Sequence, residues 1–221
     1  MATIRDNKEV VGISISKLNL LAVVCFVLFI LIGLTFQTPF VKMMDQWLIH
    51  YIQAFEAPSW TSIMKFLSFI GSVNVVIISS VPIILFLLFV WKSRRETLLF
   101  LIAVFGSALL NAGLKLLFQR ARPSLNAIIT EVGYSFPSGH SMNAFTFYGI
   151  LTYLCWRHIP SEQARKWLLA FSSIMIVGIG LSRIYLGVHY PSDVVGAYLI
   201  SLVWLIAVIQ CTRYFTRVQA A

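Results

Sequence analysis

The sequence is short of charge. Only 11% of its 221 residues are Asp, Glu, Lys or Arg, while 59% are hydrophobic. An ordinary soluble domain carries about 25% charged residues and about 45–50% apolar ones. A globular core of this size cannot absorb the excess, so a fully water-solvated fold is excluded and a chain solvated largely by lipid is expected. Acid is scarcer than base: eight Asp and Glu stand against seventeen Lys and Arg, a net charge of +9. No dense basic soluble face accompanies that balance, which argues against nucleic acid as a partner. It suits basic flanks that hold hydrophobic helices on the cytoplasmic side of a membrane. Cysteine is sparse as well. Cys25, Cys155 and Cys211 are far apart, odd in number and set in apolar runs. They have no metal-like spacing and read as small buried hydrophobes. With no repeat, linker or low-complexity tract, residues 1–221 read as one domain.

A membrane helix needs about 20 apolar residues to cross about 30 Å of hydrocarbon. Marking every charge leaves uncharged runs at 18–41, 66–91, 97–114, 132–156, 167–182 and 194–212. These predict an all-α integral membrane bundle of six transmembrane helices, near 18–37, 70–91, 96–118, 139–157, 166–187 and 191–212. The first run follows Lys17 but has no small-residue cleavage pattern, so it reads as a retained helix rather than a signal peptide. Segment 39–65 differs. Val41, Met44, Leu48, Tyr51, Ile52 and Phe55 recur at helical spacing, with Lys42, Asp45, Gln46, His50, Gln53 and Glu56 on the other side. That pattern predicts an interfacial amphipathic helix between the first two spans, with Pro58 and Trp60 at a turn and anchor.

With the N-terminus inside, eleven of the seventeen basic residues fall on inner segments, Arg5 and Lys8 among them. The bias supports both termini in the cytoplasm. The outer six include Lys115, Arg120, Arg122 and Arg183, which topology does not call for. Glu96 to Lys115, Lys166 to Arg183 and Asp193 to Arg213 each span about 25–30 Å at about 1.5 Å per residue, one hydrocarbon thickness. Lys115, Arg183 and Asp193 are therefore expected at one level near the outer face, joined there by Arg122, Ser138 and His140. Ionisable groups at membrane depth are costly and point to function.

The chemistry of this set is specific. Arginine forks suit phosphate oxygens. Pro137-Ser138-Gly139-His140 reads as a helix start: Ser138 is a good N-cap, Gly139 allows close backbone approach, and the amides and dipole attract anions. His189 and Asp193 are four residues apart across another helix start. A carboxylate holding one ring nitrogen leaves the other free to attack phosphorus. His140, from a different helix, could protonate the leaving oxygen. Asp193 and Glu131 are the only carboxylates expected near this layer, too few for a two-metal cage.

These residues resemble the type 2 phosphatidic acid phosphatase family. Lys115, six residues and Arg122-Pro123 look like its first motif, and Pro137-Ser138-Gly139-His140 like its second. Ser182-Arg183, five residues, His189, three residues and Asp193 look like its third. The order matches with no departure at a motif position. The resemblance implies that His189 is the nucleophile, forming a phosphohistidine, that Asp193 orients it, and that His140 is the general acid and then the base. It implies that Lys115, Arg122, Ser138, Gly139 and Arg183 hold the phosphate, that neither metal nor cofactor is needed, and that the site is shared with vanadium haloperoxidases. Size and layout are similar to the bacterial phosphatidylglycerophosphatase B and undecaprenyl pyrophosphate phosphatase group. The expected partners are a lipid phosphate and the bacterial plasma membrane, with an extracytoplasmic site; the sequence carries no sign of oligomeric state.

A transporter or flippase that binds phosphorylated lipid is the competing function, and a vanadate-dependent oxidase a third. A binder has no use for the His189–Asp193–His140 set, and apolar helices suit a lipid substrate. Among other residues, His50 reads as a solvated surface histidine and His158 as a favourable cation at a helix end. Arg120 and Glu131 read as loop charges, with gating or headgroup selection open to Glu131. Tyr134, Phe136 and Tyr185 could line a groove but read first as interfacial anchors. Gly178 and Gly180 read as close-packing positions.

Overall fold

The computed structural model describes residues 9–10, 13–123 and 126–220. Arg5 and Lys8, counted above with the inner charges, lie outside them. Among the described residues eight α-helices carry the fold: α1 Ile15–Thr35, α2 Pro39–Gln53, α3 Pro58–Ile70, α4 Val73–Leu85, α5 Arg94–Phe118, α6 Gly139–Trp156, α7 Glu162–Tyr185 and α8 Pro191–Ala220. A π-helical turn, Phe86–Val90, continues α4, which carries Pro82 in its interior. Proline removes one ladder hydrogen bond, and such turns are a usual site of local rewinding. Glu9–Val10 and Ile13–Ser14 form a minimal antiparallel pair before α1.

Among the described residues, five helices are long and apolar enough to cross a membrane: Ile15–Thr35, Val73–Val90, Arg94–Phe118, Glu162–Tyr185 and Pro191–Arg213. The fourth predicted span, α6, is not among them, and its position in the bundle explains why. It packs against α5, α7 and α8. Eight of its eighteen residues are buried, against two of twenty-one in α1. A central helix meets protein on most sides, so Ser141, Asn143 and Thr146 replace the aliphatic residues that a lipid-facing helix needs. Thr146 Oγ1 donates to Ser107 Oγ on α5 at 3.0 Å. The helix α1 shows the opposite pattern, with Leu20, Val23, Phe26 and Leu34 exposed along its length.

Segment 39–65 is not one helix. Residues 54–57 break it, and proline opens both α2 and α3, where its missing N–H costs nothing. The second helix runs on to Ile70, so the next span starts at Val73 rather than at 70. The two faces of α2 also differ from the predicted ones. Asp45, placed on the polar side by spacing, is buried beside Ile49, one turn on, while Met44 and Tyr51 are exposed.

Core packing joins α5, α6 and α8 through Phe100, Ala103, Ile150, Leu154 and Leu205. Phe136, a candidate groove residue, is buried in an aromatic cluster with Phe29, Phe36 and Phe118, at ring separations of 5.4, 5.5 and 4.9 Å. Tyr185 is buried too, its hydroxyl shared with the Thr61 hydroxyl at 2.9 Å, which ties α7 to α3. At Gly180 an added Cβ would fall 1.9 Å from Tyr198 Oη, so only glycine lets α7 and α8 approach this closely.

Candidate active site

Chain direction gathers the site. The helices α5 and α7 end where α6 and α8 begin, so Lys115 and Arg183 sit in last turns beside His140 in a first turn. The connection 186–190 turns at Gly187, whose φ of +72° is one that residues with a Cβ rarely adopt, and presents His189 just ahead of α8. All eight predicted site residues come to this end of the bundle.

His189 is buried. Its Nδ1 lies 3.3 Å from Asp193 Oδ2 and 3.3 Å from Ser135 Oγ. Its Nε2 lies 3.2 Å from Arg122 Nη1. A guanidinium only donates, so Nε2 accepts and the ring proton belongs on Nδ1. Ser135 donates its own proton to Asp193 Oδ2 in a short contact, leaving its lone pairs to face Nδ1. Burial holds the imidazole well below its ordinary value, at about 4, against the opposing hydrogen bond and charge of Asp193; Arg122 and Arg183 push the same way as burial. The ring is therefore neutral near pH 7, with an unprotonated Nε2.

Arg122 touches that nitrogen, and the field of Arg183 also reaches the ring. Arg122 also donates to the carbonyls of Gly133, Val188 and Val132, at 3.0, 3.0 and 3.2 Å, which fixes its plane. Arg183 is fully buried; Nη1 donates to Ser68 in a short contact and Nη2 donates to Glu131 at 2.5 Å. Its Nε finds no partner among the described residues. An unsatisfied buried donor is costly, and this one has room for a further acceptor only from outside the described residues. Glu131 meets Arg122 as well, at 3.5 Å. Burial alone would raise the Glu131 carboxyl, but Arg183, by charge and hydrogen bond, then His140 and Arg122 hold it below the usual carboxylate range. Lys115 feels the charges of Arg122, Glu131, Asp193 and Arg183. Its ammonium lies 3.9 Å from where a Cβ on Gly139 would stand.

Ser138 is the N-cap of α6. Its Oγ accepts from the Ser141 amide at 3.4 Å and from the Ser141 hydroxyl at 2.9 Å, and its amide donates to the Asp193 carbonyl at 3.2 Å. That last bond joins the start of α6 to the start of α8. His140 is half-buried one residue inside α6, in the field of Arg183, Glu131, His189 and Lys115. The Asn111 amide braces the same turn by donating to the Pro137 carbonyl at 3.1 Å.

Four participants escaped the sequence. Arg120, read as a plain loop charge, donates to Asp193 Oδ1 at 2.6 Å and to Asp45 Oδ2 at 2.7 Å. Asp45 therefore joins Asp193 and Glu131 at this level, where only two carboxylates were expected. The signal existed: Asp45 falls on the Val41–Asp45–Ile49 row of α2, in line with apolar neighbours. Ser135 and Ser192 gave no signal, since nothing in their spacing separates them from loop serines. Beside this network a cleft of about 290 Å³ opens, lined by Gln46, Ile49, His50, Gln53, Asn126 and Tyr190. His50 is exposed on its rim, and the Gln53 amide donates to the Asn126 and Tyr185 carbonyls at 2.9 and 3.0 Å. His158 lies at the opposite end of the bundle, stacked on Trp91.

A sequence model of the PAP2 superfamily matches residues 96–217, more than half of the chain. The chain belongs to the PAP2 superfamily. Every predicted site residue falls within the matched stretch, whereas α1 to α4, with Asp45, precede it. Phosphatidylglycerophosphatase B of Bacillus subtilis (strain 168) is 28% identical over 181 residues, covering 80% of this chain and 87% of that protein. The putative undecaprenyl-diphosphatase YbjG of Escherichia coli (strain K12) is 30% identical over 139 residues, 58% of this chain and 64% of that protein. The crystal structure of a transmembrane PAP2-type phosphatidylglycerolphosphate phosphatase from Bacillus subtilis superposes with a TM-score of 0.82 at 28% identity, covering 87% of this chain and 96% of that one. The all-helical bundle is thus the fold of a PAP2 membrane phosphatase.

Proposed function

We propose that the chain is a lipid phosphatase of a bacterial plasma membrane, hydrolysing phosphatidylglycerophosphate, undecaprenyl pyrophosphate or both through a phosphohistidine, without a metal. The observation that carries this reading is the state of His189: proton on Nδ1 toward Asp193, and a bare Nε2 aimed at Arg122. A phosphate drawn to Arg122 meets that lone pair. The names borne by the relatives supply the class of substrate.

The reaction runs in two displacements. The Nε2 lone pair attacks phosphorus, the bond from phosphorus to the lipid oxygen breaks, and His140 gives that oxygen a proton. Water then loses a proton to His140 while its oxygen attacks phosphorus. The bond from phosphorus to Nε2 breaks, its electron pair returns to the ring, and phosphate leaves. Lys115, Arg122, Arg183 and the amides at the start of α6 stabilise charge on the equatorial oxygens. Asp193 stabilises the imidazolium character that develops on His189.

In this reading α6 also crosses the bilayer and completes the six spans, its polar side turned inward, and α2 and α3 lie at the interface. Both termini face the cytoplasm and the site faces outward, where undecaprenyl pyrophosphate is left after wall-polymer transfer. Labelling of single cysteines placed in loop 119–137 of intact cells tests the topology. His189→Ala tests the chemistry: phosphate release from either lipid in detergent is expected to fall by about 10⁴-fold or more, as when a nucleophile is lost. Full activity in that variant overturns the mechanism. Activity should also survive EDTA, and loss on chelation overturns metal independence.

A further inference from the structure

The phosphatase reading gives no task to two charged side chains buried within reach of its nucleophile. Arg120 is 5% exposed and Asp45 is 3% exposed. The Arg120 guanidinium bridges two carboxylates, donating from Nη2 to Asp45 and from Nη1 to Asp193 Oδ1. Nη1 also donates to Ser192 Oγ at 2.7 Å. Ser192 closes the ring, donating its hydroxyl to Asp45 Oδ2 at 2.5 Å and its amide to Asp45 Oδ1 at 2.9 Å. Phe36 and Tyr190 lie 4.7 and 4.0 Å from the guanidinium carbon and fix its plane further. Asp193 is thereby divided. Oδ1 belongs to Arg120, while Oδ2 takes His189, Ser135 and the Tyr190 amide, the last at 2.9 Å.

Burying three charges for stability alone is a poor exchange, since desolvation offsets most of the attraction. Holding a carboxylate in one plane is a different matter, because a histidine's direction of attack follows the group that orients it. We infer that Asp45 and Arg120 are positioning residues: Asp45 locks Arg120, and Arg120 fixes the Asp193 carboxylate that aims His189 at phosphorus. The inference rests on the phosphatase reading above. It makes α2 part of the reaction centre, although α2 precedes the stretch matched to the family. The other side of the same helix exposes Phe40, Met44, Trp47 and Tyr51, so the helix facing the bilayer surface is connected to the nucleophile by one guanidinium.

Asp45→Asn keeps the shape and removes the charge. On phosphorylated lipid in detergent, kcat is expected to fall about tenfold to hundredfold, the scale seen when an outer partner orienting a reactive group is lost. KM should stay within about twofold, because Lys115, Arg122 and Arg183 are untouched. Asp45→Glu restores a carboxylate and should recover part of kcat. Wild-type kcat in Asp45→Asn overturns the inference. So does a kcat loss matched by a fall in thermal midpoint and not relieved by Asp45→Glu, since that marks a structural role. If Asp45→Asn does not fold, Ser192→Ala removes the hydroxyl touching both partners without removing a charge. It should lower kcat at constant KM, and an unchanged kcat overturns the inference. Failure of the phosphatase reading looks different: the unaltered protein releases no phosphate, or His189→Ala stays active.

Discussion

The two ends of the bundle use the same kinds of charged residue in opposite ways. Where α5 and α7 begin, Lys166 pairs with Glu162 at 2.8 Å while the side chains stay 65% and 81% exposed. Arg157, 57% exposed, reaches Glu96 only at 3.9 Å, and His158 shares that carboxylate at 3.4 Å. Water and salt screen the exposed Lys166–Glu162 pair, and at the buried Glu96 they still reach the exposed cation partners, so these pairs contribute little. Where α5 and α7 end, Arg120, Arg183, His189, Asp193 and Asp45 are all buried, and each carboxylate is shared by several donors. The difference teaches that position in the bundle, rather than residue type, separates a solvated charge from a buried and fixed one. Charges where α5 and α7 begin keep most of their water; charges where they end lose it and keep fixed directions.

The comparison breaks first at Arg183. Arg183→Lys keeps the charge but loses the planar fork that serves Ser68 and Glu131 and leaves Nε free. Phosphate release should fall about hundredfold in kcat/KM, the scale of one lost oxyanion donor. A fall under about threefold would mean that charge alone suffices at the buried end too.

A second test is acid. The folded value of His189 lies at about 4, below the ordinary 6.5. The ring must be neutral to attack, so kcat/KM should persist as pH falls from 6.5 and decline only near 4. Stability carries the same sign. Between those values the unfolded chain takes up a proton that the folded chain refuses, so stability is lost as pH falls through that window. A pH–rate profile with its acid limb at 6.5 would place His189 in a solvated setting and erase the contrast.

Glu131→Gln should act in the opposite direction to the other site variants. It frees Arg122 and Arg183 from their internal anion, so orthovanadate should inhibit about fivefold more strongly, worth one partly exposed ion pair. Weaker inhibition would mean that Glu131 builds the cradle rather than occupying it. The smallest effect is expected at the other end: Lys166→Ala should leave both kcat and the thermal midpoint unchanged within error.

Much of this was legible in the chain itself. Charge spacing against a fixed hydrocarbon thickness located the five long apolar helices to within a few residues, and the same arithmetic placed Lys115, Arg183 and Asp193 at one end of the bundle. At α6 it found the helix, which is nevertheless too polar to stand among the five apolar ones. Lipid-facing helices are forced to be apolar all round, whereas a central helix answers to its neighbours. Segment 39–65 was read with the right amphipathic character but as one piece, and with Asp45 turned to water. Spacing alone gives the angle between side chains on a helix, not which sector meets the protein.

What the sequence by itself determined is therefore most of the helices, the order of the motifs and which of their residues meet at one end of the bundle. Each follows from local rules: apolar length, caps, and i to i+4 spacing. What only the tertiary structure decided is which charges lose their water. Arg120 and Asp45 are 75 positions apart, and Arg120 and Asp193 are 73. Burial of a charge is tolerable only when a partner arrives from elsewhere in the fold, and no local pattern records that arrival.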